Sequence, residues 1–155
     1  MRWNVAVDVR CRTREGYQSS EVIFPLIDIK GLIPRDKHDL DAVTAIREAG
    51  YPAIAPILDG LMKWTADGNW PVARSLAPFL ATLGRPIIDP VLRVLRGNDP
   101  TFKYFCLVTI VSTLPIDTLK ALEIDLEGLA VNPSRLDKAE GVHEEAEAAL
   151  LRLRS

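Results

Sequence analysis

The chain has 155 residues, 48% hydrophobic and 26% charged, a size and balance that suit one globular domain with a proper core. A formal net charge of −2 leaves no global basic field to draw in nucleic acid, and Cys11 and Cys106, far apart, form no disulfide framework. Residues 1–20 hold four arginines without the apolar stretch of a signal peptide, and the longest uncharged apolar run (104–116) is too short for a bilayer, so a cytoplasmic protein without membrane contact is expected.

In chain order, WNVAVDVRCRT (3–13) sets Val5, Val7, Val9 and Cys11 against Asn4, Ala6, Asp8, Arg10 and Arg12, the period of two of a half-buried strand. REGY (14–17) turns the chain toward a second extended piece at 20–29, where Pro25 is tolerated only at a sheet edge. Residues 1–31 therefore read as an extended or β-hairpin arm, and 32–155 as the domain proper. An exposed alternating strand can pair with a second copy, so the chain is expected as a monomer or as a homodimer through this arm.

Beyond residue 34 the periodicity becomes helical. Asp39 caps a helix carrying Leu40, Val43 and Ile46 that stops at Gly50. Pro52 opens the next, with Ile54, Ile57, Leu58 and Leu61 on one side, and Asp67-Gly68 ends it. Trp70 precedes a proline and so avoids the helical region, which makes it the cap and Pro71 the first helical residue. Val72, Leu76, Phe79, Leu80 and Leu83 share one face, whereas Arg74 and Pro78 fall opposite; a kink is expected at Pro78, with water taking the freed carbonyl. The helix after Asp99 is apolar nearly all round, with Lys103 its only charge, which suits a central position covered on both sides. Two more helices are expected at about 116–130 and 137–153.

Short stretches recur. APIL (55–58) returns as DPVL (89–92), an offset of 34, and DGNW (67–70) as DPTF (99–102), an offset of 32. Such a period points to stacked helical hairpins. The spacing of Asp67, Val72, Leu80, Leu83 and Gly84 resembles the second half of a HEAT repeat over residues 52–114, although Ala73 and Leu76 depart from that pattern. The resulting expectation is an all-α fold: a HEAT-like stack of about three antiparallel helix pairs, an α-α superhelix. IPRDKHD (33–39), NWPVA (69–73), FKYFCL (102–107), NPS (132–134) and EGVHEEAEAAL (140–150) resemble an uncharacterised bacterial family, domain of unknown function 5071, over residues 33 to about 151. The resemblance implies a compact helical repeat domain and brings no activity with it.

Candidate chemistry is sparse. DKHD (36–39) offers two carboxylates around His38 for a metal, but the same acids suit a helix cap. Glu140, His143, Glu144 and Glu147 share a helix face at the spacing of di-metal bundles, yet one copy is too few and the face lies opposite the core, so neither a metal nor a cofactor is expected. Cys106 reads as an inert core thiol. What remains is the set of inter-helix turns: Asp67, Asn69 and Trp70 in one repeat, and Asp99, Phe102, Lys103 and Tyr104 in the next. Side by side, these form an aromatic and polar strip for a partner; alternatively, Trp70 and Phe102 are wedges between hairpins.

With no catalytic motif, the expected function is a non-enzymatic protein-interaction module of regulatory or immunity type, gripping another protein. The alternative is a DNA-base-processing enzyme of the glycosylase class on a HEAT-like scaffold, with Trp64, Trp70 and Asp67 in a groove. Sequence pI near 5.7 and dispersed basic residues weigh against it.

Overall fold

The computed structural model describes residues 10–13, 16–19 and 28–155. Strands β1 (Arg10–Thr13) and β2 (Gly16–Ser19) pair antiparallel, with Arg10 opposite Ser19 and Thr13 opposite Gly16. This register leaves only residues 14 and 15 between the strands, so the partner strand begins ahead of the expected 20–29. Most of both expected strands (3–9 and 20–27) lies outside the described residues.

From residue 28 onward the fold is all-α. Helix α1 (Leu40–Ala49) is capped by Asp39, whose side chain accepts from the Ala42 amide, and ends at Gly50 with φ 64°. Helix α2 (Leu58–Lys63) begins later than Pro52. Pro56 has no N–H to give the carbonyl of residue 52, so turns and a 3-10 segment (Ala55–Ile57) occupy that stretch instead. Trp70 caps α3 (Pro71–Ala81) with ψ 138°, and Pro71 takes the first helical position, as proline's fixed φ favours. Pro78 lies on the exposed face and the helix runs through it. A 3-10 turn (Arg85–Ile87) leads into α4 (Ile88–Leu95), and Asp99 caps α5 (Pro100–Thr109) by accepting from the Phe102 amide.

The turns that launch α2 and α4 correct the internal alignment. Ala55-Pro56-Ile57 and Arg85-Pro86-Ile87 are the matching 3-10 segments, each with proline near its start, so APIL corresponds structurally to RPII (85–88) rather than to DPVL. The difference is four residues, about one helical turn, a slip that leaves the buried stripe of the helix in nearly the same place. Helix α6 (Ile116–Leu119), a 3-10 turn (Lys120–Leu122) and α7 (Glu123–Val131) replace one continuous helix. The expected helix at 137–153 is divided into α8 (Arg135–Glu140) and α9 (Val142–Arg154) by Gly141, which sits at φ 87°. A glycine adopts that left-handed geometry at no steric cost and ends a helix there.

The helices stack in a largely antiparallel arrangement. Helix α1 packs on α3, α3 on α5, and α5 on both α8 and α9; across the core, α2 packs on α4, and α4 on the turn before α7. Ile46, Ile54, Leu61, Leu76, Leu80, Ile87, Ile110, Leu114 and Leu126 are wholly buried in one continuous core. Among the described residues no helix is long and apolar enough to cross a membrane.

Candidate functional site

Helices α2 and α4 carry residue trios at the same spacing. Asp59, Met62 and Lys63 stand at i, i+3 and i+4 of α2, and Pro90, Arg93 and Val94 at the same spacing on α4, so each trio shares one face. The start of α5 closes the space between them. The result is a cleft of about 230 Å³ lined by both trios together with Gly97, Asn98, Asp99 and Phe102. Met62 is 2% exposed and Val94 9%, which with the half-buried Phe102 gives the cleft an apolar floor. Charged groups stand around that floor: the Arg93 guanidinium donates to Asp59 Oδ1 at 2.6 Å, and both side chains of this pair remain 61% exposed. Asp99 is engaged as the α5 cap, its Oδ1 accepting from Phe102 N at 3.0 Å. The cleft is a small, open groove with an apolar base and polar groups at its rim.

The seven residues expected to form a strip are distributed as follows. Asp99 and Phe102 line the cleft. Asp67, Asn69 and Trp70 lie in the α2–α3 turn, where Asp67 Oδ1 accepts from Asn69 N at 2.9 Å. The Trp70 ring leans on Trp64 with centroids 5.8 Å apart and planes at 59°. Gly68 in that turn meets Phe105 so closely that a Cβ would stand 2.5 Å from the ring. Lys103 points inward instead of toward solvent: its Nζ lies 3.2 and 3.0 Å from the two Asp137 carboxylate oxygens, with both side chains at or below 8% exposure. Tyr104 sits edge-on to Phe105, centroids 5.4 Å apart, and over Gly141.

Several of the other sequence candidates have structural partners, although the buried Nδ1 of His143 has none among the described residues. Asp36 accepts from the His38 amide at 2.8 Å, and Asp39 takes the Arg35 amide and guanidinium as well as Ala42 N. These donors, the Arg35 amide foremost, lower the pKa of Asp39. Gly141 separates Glu140 from the rest of its proposed cluster; Glu140 accepts instead from the Thr101 hydroxyl at 3.2 Å. Cys106 is buried, and desolvation pushes its thiol up to about 12.

Sequence reading missed Asp59, Met62, Lys63 and Arg93. Asp59 and Arg93 stand 34 residues apart, one structural repeat of 30 plus one helical turn, and so lie on neighbouring layers of the stack.

Comparison with known proteins changes the functional expectation. The chain is 37% identical over 83 residues to the 3,6-anhydro-alpha-L-galactonate cycloisomerase of Streptomyces coelicolor, a match that takes in 50% of this chain and 23% of that protein. The chain thus spans about a quarter of the relative it matches. A likeness to a catalytic protein overturns the expectation of a non-enzymatic interaction module, and with it the reading that the chain is more an interaction protein than an enzyme. That expectation rested on the repeat architecture, the near-neutral charge and the absence of a familiar catalytic motif; none of these excludes an enzyme, because short motifs report only the mechanisms that carry them. Over residues 32–150 the sequence matches the family described as domain of unknown function (DUF5071), and the chain belongs to that family.

Proposed function

We propose that this chain serves an enzymatic conversion of a small polar metabolite, and that the cleft between α2, α4 and α5 is where that molecule binds. The cleft itself carries the proposal: an apolar floor of Met62, Val94 and Phe102 beneath Lys63, Arg93 and Asn98 is suited to a compact molecule with one hydrophobic face and several polar groups. A cleft of about 230 Å³ is on the scale of a small metabolite rather than that of a polymer. Likeness to a cycloisomerase whose name gives a sugar-derived acid as its substrate supports the enzymatic setting.

The scaffold is read as three successive HEAT-like hairpins, α2–α3, α4–α5 and α6–α7 with α8–α9, and α1 covers one end. Packing of α4 on α5 supports the pairing within one hairpin, and packing of α2 on α4 and of α3 on α5 supports the stacking of one hairpin on the next. The family match begins at residue 32, which supports residues 1–31 as a separate arm. In such a stack the cleft lies where two neighbouring hairpins meet, so its shape depends on the layer-to-layer spacing.

Thermal unfolding of the purified chain with increasing 3,6-anhydro-α-L-galactonate tests the reading, with proton NMR of the same mixtures to follow turnover. The expected result is a concentration-dependent rise in Tm, lost in Phe102→Ala. No rise at any concentration, or a rise that Phe102→Ala leaves intact, would count against the cleft.

A further inference from the structure

We propose that the ligand of this cleft is a carboxylate, and that Asp59 is a built-in competitor which occupies Arg93 until the ligand replaces it. This inference rests on the cleft being the binding site. Arg93 and Asp59 come from different helices and meet at 2.6 Å at the mouth of the cleft. The carboxylate of Asp59 already shows what Arg93 accepts: a planar, negatively charged acceptor. At 61% exposure on each side the pair is held by little, since exposed ion pairs are screened by solvent and contribute little net stability. A ligand carboxylate that also lays its carbon skeleton on Phe102 gains contacts that Asp59 cannot make. Lys63, on the same face of α2 as Asp59, adds a second positive charge to the rim. Asp99 does not oppose the exchange in the way Asp59 does, because its Oδ1 is committed to the α5 amide. Arg93 would pass from one carboxylate to another, with no bond made or broken and no proton moved.

The design predicts opposite effects from its two members. Asp59→Asn frees Arg93, so carboxylate affinity should rise by about 1.5-fold to fivefold, the equivalent of an exposed ion pair. Arg93→Gln removes the charged donor, so affinity should fall by about tenfold or more. The test is calorimetry at low ionic strength with galactonate and with uncharged galactose, on the wild-type chain and on Asp59→Asn, Arg93→Gln and Phe102→Ala. Both substituted ion-pair positions are exposed, and Tm values for each variant verify folding. Binding of galactonate but not galactose, tightened by Asp59→Asn and weakened by Arg93→Gln, is the expected result. Equal binding of both sugars, unchanged by either charge variant but abolished by Phe102→Ala, would overturn the carboxylate inference and leave the cleft as the site. Binding of neither sugar, in the wild-type chain and in Asp59→Asn alike, would overturn both.

Discussion

Lys103 shows how far a single residue can be read before the fold is known. It is the one charge in an otherwise apolar helix, which marks it as exceptional but not as inward-facing. Its destination is Asp137 on α8, 34 residues away, and the local sequence names no such partner. Both groups are nearly free of solvent, so deleting one partner leaves a buried charge unpaired. Lys103→Met is expected to cost about 3–5 kcal/mol of unfolding free energy by urea denaturation, and the double variant Lys103→Met/Asp137→Leu to recover most of that loss. Cys106 gives a prediction in pH. Its thiol is held at about 12 against an ordinary 9.0 because the buried thiolate is desolvated. Between those values the folded chain keeps a proton that the unfolded chain loses, so this group's contribution to stability is complete below about 9 and declines as pH rises toward about 12. Compared with Cys106→Ala, the native chain should therefore lose more stability between neutral pH and about pH 10 in urea titrations. Equal losses would show that the thiol does not feel its burial.

At the scale of elements, capping chemistry was legible and termination was less so. Asp39, Trp70-Pro71 and Asp99 start α1, α3 and α5 where their side chains and the constraint before proline dictate. Pro56 delayed α2, and Gly141 divided α8 from α9, because each acts through one backbone dihedral or one missing donor that a hydrophobic pattern does not record. The one-turn slip in the repeat alignment has a similar origin: apolar spacing alone is nearly unchanged by a shift of four residues. Pro78 tests the energetics of this level. It removes one backbone hydrogen bond from α3 on the exposed face, where water can satisfy the carbonyl of Arg74, so Pro78→Ala should restore that bond and raise stability by about 1–2 kcal/mol, net of the greater freedom of the unfolded chain. Gly68→Ala should act oppositely, since its Cβ would stand 2.5 Å from the Phe105 ring; a loss of about 1–3 kcal/mol is expected in chemical denaturation, partly regained by adding Phe105→Leu.

On the scale of the whole molecule, stacking creates a cleft that no contiguous segment contains. Asp59, Arg93 and Phe102 belong to three helices, and only the packing of α2 on α4 and of α4 on α5 brings them to one cleft. Sequence periodicity was enough for an all-α stack, because the apolar stripes must be buried somewhere. It was not enough for the cleft, because the charged residues at its rim are exposed and follow no burial pattern. Attraction of an anionic ligand to the Arg93 and Lys63 rim should weaken with added salt, as exposed charges are screened within about 8–10 Å at physiological ionic strength. The most direct test of this account is an NMR titration of the ¹⁵N-labelled chain with galactonate. The account predicts saturable shifts centred on the amides of Lys63, Arg93, Gly97, Asn98 and Phe102, which diminish in Arg93→Gln. Saturable shifts centred elsewhere, or none up to millimolar ligand, would contradict it.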